Sequence, residues 1–215
     1  MDTLVVRIAS FLTLAVAIAS PALAYNLVTN PSFAGSTAGW NTITTYDPAN
    51  DATGVVGSGS AKSTFNASGS STQEVIDQCI ATGPGAYTLG GKILIPSGQA
   101  VGGSGLITVS FFSGPDCVTG FLSFNSLSTS TTGSFQTLSG PITAPAGTAH
   151  IWITGQNNAS AAGTHVVNFD DFVLDNGLPP PPVPVVPAPA LGWLALLVLI
   201  GATMVMGSAF ALRKN

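Results

Sequence analysis

A long apolar segment near the C-terminus constrains this chain more than any other feature. Residues 190–212 contain no charged side chain. A helix rises about 1.5 Å per residue, so this segment is long enough to cross the hydrocarbon core of a bilayer. Arg213 and Lys214 follow directly, and basic residues beside a spanning helix stay on the cytoplasmic side. We predict a transmembrane helix at 190–212 and a basic cytoplasmic tail at 213–215.

The N-terminus predicts export through the same membrane. A short basic leader precedes an apolar stretch at 8–19, and Ala22 and Ala24 then supply the small residues that a signal peptidase recognises. We predict a signal peptide at 1–24 and a mature chain that begins at Tyr25. A retained anchor is the alternative, but about a dozen apolar residues are too few for a bilayer that needs about 20.

The stretch between these segments has the composition of one exported β domain, which we place at 25–178. It is rich in Ser, Thr, Gly, Asn and Ala, with scattered β-branched and aromatic residues. Lys62 and Lys92 are its only basic side chains, and carboxylates outnumber them. This balance disfavours nucleic acid as a partner and suits a neutral, hydrogen-bonding one. Residues 179–189 are rich in proline and predict an extended linker.

The domain should be built from strands, because short apolar and β-branched runs alternate with Gly, Pro, Asn and Ser clusters and no helical periodicity appears. The predicted strands are 75–80, 86–95, 106–112, 121–124, 135–138, 150–154 and 165–174. Many short strands in one exported domain indicate an all-β sandwich.

Cys79 and Cys117 are the only cysteines of the chain. An oxidising compartment favours a disulfide between them. The alternative, a metal-binding or catalytic thiol, would need a neighbouring cysteine or histidine at ligand spacing, and the sequence has none.

Three short motifs carry a resemblance that spans the whole domain. They are NLVTNPSFAGSTAGW (26–40), QCIATGPGAYTLGGKI (78–93) and FDDFVLD (169–175). The first resembles the opening, and the last the final strand, of jelly-roll domains of the carbohydrate-binding and galactose-binding-like type. The middle motif, with Cys117 downstream, is similar to the cysteine-containing variants of these domains in exported bacterial proteins. The resemblance implies a jelly-roll β-sandwich in which Trp40 is structural, and sugar binding as a function.

The same resemblance implies a structural calcium, with one departure. The acidic residue that often follows the Phe of the opening motif is replaced by Ala34. Asp170 or Asp171, together with backbone carbonyls at 26–30, could still supply the oxygen ligands that Ca²⁺ prefers. The alternative is that these two carboxylates are solvated or accept backbone hydrogen bonds.

The segment HIWIT (150–154) offers candidate ligand-binding residues. In a strand, Ile151 and Ile153 face one side, so His150, Trp152 and Thr154 face the other. An indole among polar side chains suits the apolar face and hydroxyl edge of a sugar ring. A tryptophan buried beneath a covering loop would give the same pattern.

Catalysis finds little support, and no catalytic residue is predicted. Asp170 and Asp171 are neighbours in a predicted strand, so their side chains should point to opposite faces and cannot flank one glycosidic bond. His150 and His165 lack metal-binding spacing, and no Gly-x-Ser-x-Gly motif is present. An enzyme is therefore the least supported reading.

The last segment, VPAPALGWLALLVLIGATMVMGSAFALRKN (186–215), resembles C-terminal sorting signals of the PEP-CTERM and IPTL-CTERM kind. That resemblance implies an exosortase-type peptidase as a partner, although Ala188 stands where the best-known motif has Glu. A plain membrane anchor, with Trp193 at the interface, explains the same features. We expect a non-enzymatic protein at the cell envelope or in an extracellular matrix, which binds polysaccharide or, alternatively, is structural and binds no ligand.

Overall fold

The computed structural model describes residues 25–177, and the regular secondary structure of these residues consists entirely of β-strands. The predicted signal peptide, the whole proline-rich linker, the transmembrane helix and the basic tail lie outside the described residues. Within 25–177 there is no helix that is both long and apolar enough to span a membrane.

Ten strands are present in the described part of the chain. They are β1 (Asn41–Thr42), β2 (Thr45–Asp47), β3 (Ser60–Ala67), β4 (Ser71–Ala81), β5 (Gly85–Leu94), β6 (Gly103–Phe112), β7 (Phe121–Thr129), β8 (Gln136–Ala144), β9 (His150–Ala159) and β10 (Gly163–Asp175). They form two five-stranded sheets in the orders β1-β4-β9-β6-β7 and β2-β3-β10-β5-β8. The fold is a β-sandwich, and the order of its eight long strands fits a jelly roll.

The core lies between the two sheets, where the inward-facing apolar residues of strands such as β5, β6, β9 and β10 meet. Phe111, Ile153 and Phe169 are fully buried there. Trp40 packs against Phe172 with ring centroids 4.6 Å apart and is buried, as expected for a structural residue.

All seven predicted strands fall within observed strands or extend one by a residue, while β1, β2 and β3 were not predicted. Strand β3 faces the core with Ala61, Ser63, Phe65 and Ala67, and three of these four side chains are small. Because small and polar inward residues weaken the apolar alternation, the sequence gives little strand signal here.

Cys79 on β4 and Cys117 in the loop between β6 and β7 form a disulfide, with Cα atoms 5.8 Å apart. Strand β9 lies between β4 and β6 in the sheet. The disulfide therefore holds the loop 113–120 across the end of β9.

Candidate functional site

The outward side of the sheet β1-β4-β9-β6-β7 brings the predicted binding residues together, and we call it the tryptophan face. Its outward side chains are Glu74, Asp77 and Cys79 on β4, His150, Trp152, Thr154 and Gln156 on β9, Leu106, Thr108, Ser110 and Phe112 on β6, and Phe121, Phe124, Ser126 and Ser128 on β7. Ile151 and Ile153 point into the core, as the alternation predicts.

Trp152 occupies the centre of this face. In the register of the sheet it lies between Cys79 on β4 and Ser110 on β6, and Phe124 on β7 continues the same row. Neighbouring strands are about 4.8 Å apart, so Trp152 and Phe124 are roughly 10 Å apart across the sheet. A ligand that touches both rings must extend across several strands.

The indole is held in place by a carboxylate. Its Nε1–H donates to Asp77 Oδ1 at 2.9 Å, while Asn41 Nδ2 donates to Asp77 Oδ2 at 2.8 Å. Both oxygens of Asp77 are therefore used, and the ring is fixed at its N–H edge. A fixed ring loses less rotational freedom on binding than a free one.

Three phenylalanines extend the aromatic surface from Trp152 toward the edge strand β7. Phe112 lies 6.4 Å from Trp152 and 5.9 Å from Phe121, centroid to centroid, in edge-to-face arrangements. Phe121 and Phe124 are 58% and 63% exposed. These two rings leave apolar area available to a partner.

The loop 113–120 borders the tryptophan face at the end where β9 begins. Cys117 binds it to Cys79, and His150 Nδ1 is 2.9 Å from the Gly114 carbonyl oxygen. Asp116 Oδ1 accepts the backbone N–H groups of the loop at Thr119 and Val118, which lower the pKa of this carboxyl. The loop is thus braced by a covalent bond and by hydrogen bonds.

The three predicted binding residues share the face but differ in access. Trp152 is half-buried, His150 is engaged with the loop, and Thr154 is only 2% exposed. The sequence did not single out Asp77, Phe121 or Phe124. Asp77 gives no signal because β4 carries several other polar residues, whereas Phe121 and Phe124 stand out as large aromatic residues on a strand that is otherwise mostly Ser, Leu, Asn and Thr.

The charges are distributed unequally between the two sheets. Lys62 and Lys92, the only basic residues of the described part, lie on β3 and β5 in the opposite sheet. Asp77 and Glu74 on β4 are acidic. The tryptophan face therefore carries no lysine or arginine that could pair with an anionic ligand.

The two candidate calcium ligands lie on β10 in the opposite sheet. Asp170 is fully buried, and its two oxygens accept the backbone N–H groups of Ala52 and Asp171. Burial raises the pKa of Asp170 to about 7 in spite of these hydrogen bonds. Asp171 is paired with Lys92, whose Nζ lies 2.8 Å from Asp171 Oδ2.

The expected opposite orientation of these two carboxylates is wrong. A β-bulge interrupts the pairing of β10 with β5 between Asp170 and Val173, and Asp171 has a positive φ of 48°. Lys92 Nζ contacts both Asp171 and the carbonyl of Ala52, whose N–H binds Asp170. Both carboxylates therefore lie beside Ala52, on one side of the sheet.

These contacts occupy the carboxylate groups that a Ca²⁺ ion would use. The carboxylate oxygens already have partners, and a Ca²⁺ ion at Asp171 would compete with the Lys92 ammonium. Among residues 25–177, no group of three or more His, Cys, Asp or Glu side chains is arranged to hold a metal ion.

The fold of the described residues is similar to that of several solved structures. No protein-family model matches the chain, and no curated protein sequence matches it. Among solved structures, the enzymatically active domain of tailspike protein 4 from bacteriophage CBA120 aligns with a TM-score of 0.52 and 14% identity, over 69% of this chain and 21% of that chain. The shared fold is a β-sandwich.

Carbohydrate-binding modules also appear among the similar structures. The module TmCBM61, solved in complex with β-1,4-galactotriose, has a TM-score of 0.49 and 21% identity over 70% of this chain and 97% of that chain. A family 16 carbohydrate-binding module has a TM-score of 0.49 and 17% identity over 69% and 99%. At such identities the likeness concerns the fold alone.

Proposed function

We propose that the protein binds carbohydrate on the tryptophan face. The observation that carries this proposal is the indole of Trp152, which is fixed by Asp77 in the middle of an outward sheet surface and continued by the exposed rings of Phe121 and Phe124. Aromatic rings pack against the C–H face of a sugar, while neighbouring hydroxyl and amide groups bind its hydroxyls. Ser110 lies directly beside Trp152 in the register of the sheet, and Gln156 lies two outward positions further along β9, so both offer such groups to a ligand on this face.

The proposed ligand is an uncharged glycan chain. Because this face has the carboxylates of Asp77 and Glu74 and neither Lys62 nor Lys92, a polysaccharide with carboxylate or sulfate groups would be repelled. The extent of the aromatic row from Trp152 to Phe124 favours an oligosaccharide over a single ring.

A structural protein without a ligand is the rival function. The exposed apolar side chains of Val118, Phe121, Leu122 and Phe124 favour it, because such a cluster also suits packing against protein. The two adjacent carboxylates give no support to an enzyme, since Asp170 is buried and Asp171 is paired with Lys92.

A polysaccharide array probed with the purified full chain separates these functions. The chain should be kept in a detergent without a sugar headgroup, because residues 190–212 are apolar. We expect retention on one or more neutral polysaccharides and none on uronic-acid or sulfated ones. If the chain is retained on none of the neutral polysaccharides, the structural function is favoured.

We further propose that the protein works outside the cytoplasm. The leader at 1–24 and the apolar segment at 190–212 support export by signal peptidase and attachment to the inner membrane, with the domain outside. Processing by an exosortase-type peptidase would then release it to the cell surface or matrix. Without processing, the same segment acts as a plain anchor.

A further inference from the structure

A cavity of about 260 Å³ lies on the opposite sheet, away from the tryptophan face. Strands β5, β8 and β10 form it together with the N-terminal residues Asn26 and Pro31. Its position coincides with the β-bulge that follows Asp170. Nothing in the proposed glycan binding by Trp152 uses this cavity.

A glycine keeps the cavity open. Gly90 on β5 faces outward between β8 and Val173 of β10, and a Cβ atom at this position would lie 2.8 Å from the carbonyl oxygen of Leu138. Any side chain at position 90 would therefore meet the backbone of β8. The side chain of Val173, which pairs with Gly90, lies beside this glycine, while Leu138 and Phe172 turn their side chains into the core and border the cavity from below.

The polar part of the cavity is an ion pair with unused hydrogen-bonding capacity. Lys92 Nζ donates to Asp171 Oδ2 at 2.8 Å and to the Ala52 carbonyl at 3.1 Å, so one of its three N–H bonds has no partner among these contacts. Both side chains are 28% exposed, and a carboxylate accepts more than one hydrogen bond. Thr137 and Ser139 of the edge strand β8 add hydroxyl groups.

We propose that this cavity is a second binding site, for one neutral sugar ring. The Lys92–Asp171 pair places a donor beside an acceptor, which matches two adjacent hydroxyls of a pyranose, and the Val173 side chain matches its C–H face. The pair has no net charge. The Asp171 carboxylate would repel an anionic ligand and the Lys92 ammonium would repel a cationic one, so the site favours a neutral ligand.

The size of the cavity sets the ligand apart from that of the tryptophan face. Sites for drug-sized ligands usually occupy about 300 to 1,000 Å³. A cavity of about 260 Å³ holds a single ring rather than a chain. The two sites lie on different sheets, so one molecule could hold two separate glycans.

The proposal is tested by NMR titration of the ¹⁵N-labelled full chain in a detergent without a sugar headgroup. The probes are the methyl glycosides of β-glucopyranose, β-galactopyranose and α-mannopyranose, with inorganic phosphate as the charged probe. At least one glycoside should shift the amide signals of Gly90, Lys92 and Ser139 with a Kd on the order of 1 to 10 mM, as expected for so small a ligand.

Two pairs of variants locate the binding. Ser139→Trp should fill the cavity and abolish the shifts at Gly90, while Thr143→Trp, on the same strand and same side but outside the cavity, should leave them. Lys92→Met should weaken binding at least tenfold, while Lys62→Met should not. Intact signals from β9 in each variant show that the domain remains folded.

The second site and the tryptophan face can fail separately. Trp152→Ala should leave the shifts at Gly90 unchanged, whether or not the array finds a glycan. The second site is overturned if none of the three glycosides shifts Gly90, if phosphate alone does so, or if Ser139→Trp and Thr143→Trp behave alike.

Discussion

The indole of Trp152 is the side chain on which the proposed sugar binding depends most. Truncation to alanine removes a stacking surface that contributes on the order of 1 to 3 kcal/mol. Trp152→Ala should therefore weaken binding to any array-positive glycan by roughly ten- to a hundredfold, measured by isothermal titration calorimetry.

Trp40 supplies the matched control for that prediction. It is buried against Phe33 and Phe172, and its Nε1–H donates to the Asn30 carbonyl at 3.1 Å. Trp40→Ala should cost about 3 to 5 kcal/mol of stability and lower the melting temperature. If Trp40→Ala abolished binding without loss of stability, while Trp152→Ala unfolded the domain, the two roles would be reversed.

His165 is expected to make the fold sensitive to mild acid. It is fully buried, its Nδ1 lies 2.6 Å from Asn157 Oδ1, and its Nε2 has no hydrogen-bond partner within the described residues. Burial lowers the pKa of His165 below the usual value of 6.5. As the pH falls below 6.5, the unfolded chain gains a proton that the folded chain does not, so stability is lost.

The measurement is the free energy of unfolding from pH 7 to pH 5, compared between the native chain and His165→Gln. The native chain should lose more stability, by at most about 1.4 kcal/mol per pH unit. Asp170, with its pKa raised to about 7, acts in the opposite sense, because there the folded state holds the extra proton. This contribution is present in both proteins and cancels in the difference. Equal slopes would contradict the prediction.

Among the elements, the loop 113–120 has the clearest experimental signature. The Cys79–Cys117 disulfide closes a sequence separation of 38 residues, which contributes about 4 kcal/mol in the chain-entropy model. Reduction should free the loop, and acrylamide should then quench Trp152 more strongly. Binding to an array-positive glycan should weaken at the same time.

Acrylamide quenching and glycan binding should both be measured on protein that is shown to be folded. Trp40→Phe together with Trp193→Phe leaves Trp152 as the one indole of the chain, and a Cys79→Ser/Cys117→Ser variant should reproduce the effect of reductant. If quenching of Trp152 is the same with and without the disulfide, the loop does not border the indole in solution.

The bulged part of β10 carries the calcium prediction. If Asp170 or Asp171 binds calcium, the ion at a hundred times its Kd would add about 2.7 kcal/mol of stability. Because Lys92 is paired with Asp171, the gain in melting temperature should be larger in Lys92→Met than in the native chain. Equal melting curves in calcium and in EDTA, for both proteins, would contradict the prediction that Asp170 or Asp171 binds calcium.

The sequence predicts strands well where inward side chains are large and poorly where they are small. Alternating isoleucines in β9 gave both the strand and its two faces, including the side of Trp152. Strand β3 was missed because Ala61 and Ser63 stand at inward positions. The bulge at Asp171 could not be foreseen, since a positive φ at aspartate leaves no pattern in the residues around it.

The candidate site was predicted only in part, for a related reason. The period of two in a strand places Trp152 on the outward side, but it does not say which residues of other strands come beside it. Asp77, which fixes the indole, is 75 positions away in the chain. Only the strand order brings β4 and β7 to the two sides of β9 and β6.

At the scale of the whole molecule, the mature chain should begin at Tyr25. Intact-mass analysis of the protein from its native cell reports this cleavage, any C-terminal processing and the state of the two cysteines in one measurement. Replacing Ala24 with arginine should trap the precursor. If the envelope-located protein began at Met1, the leader would be an anchor and the proposed topology would fail.

The position of β10 has a mechanical consequence for a domain held by its C-terminal end. Tension on that end acts along β10, which pairs with both β3 and β5 in the middle of its sheet rather than at an edge. The last residues of β10 are also clamped by Asn26, whose side chain accepts from the Leu174 N–H and donates to the Phe172 carbonyl. Such a strand must shear along its whole ladder instead of peeling away one bond at a time. Under pulling forces, the domain should therefore stay folded while its tether is stretched.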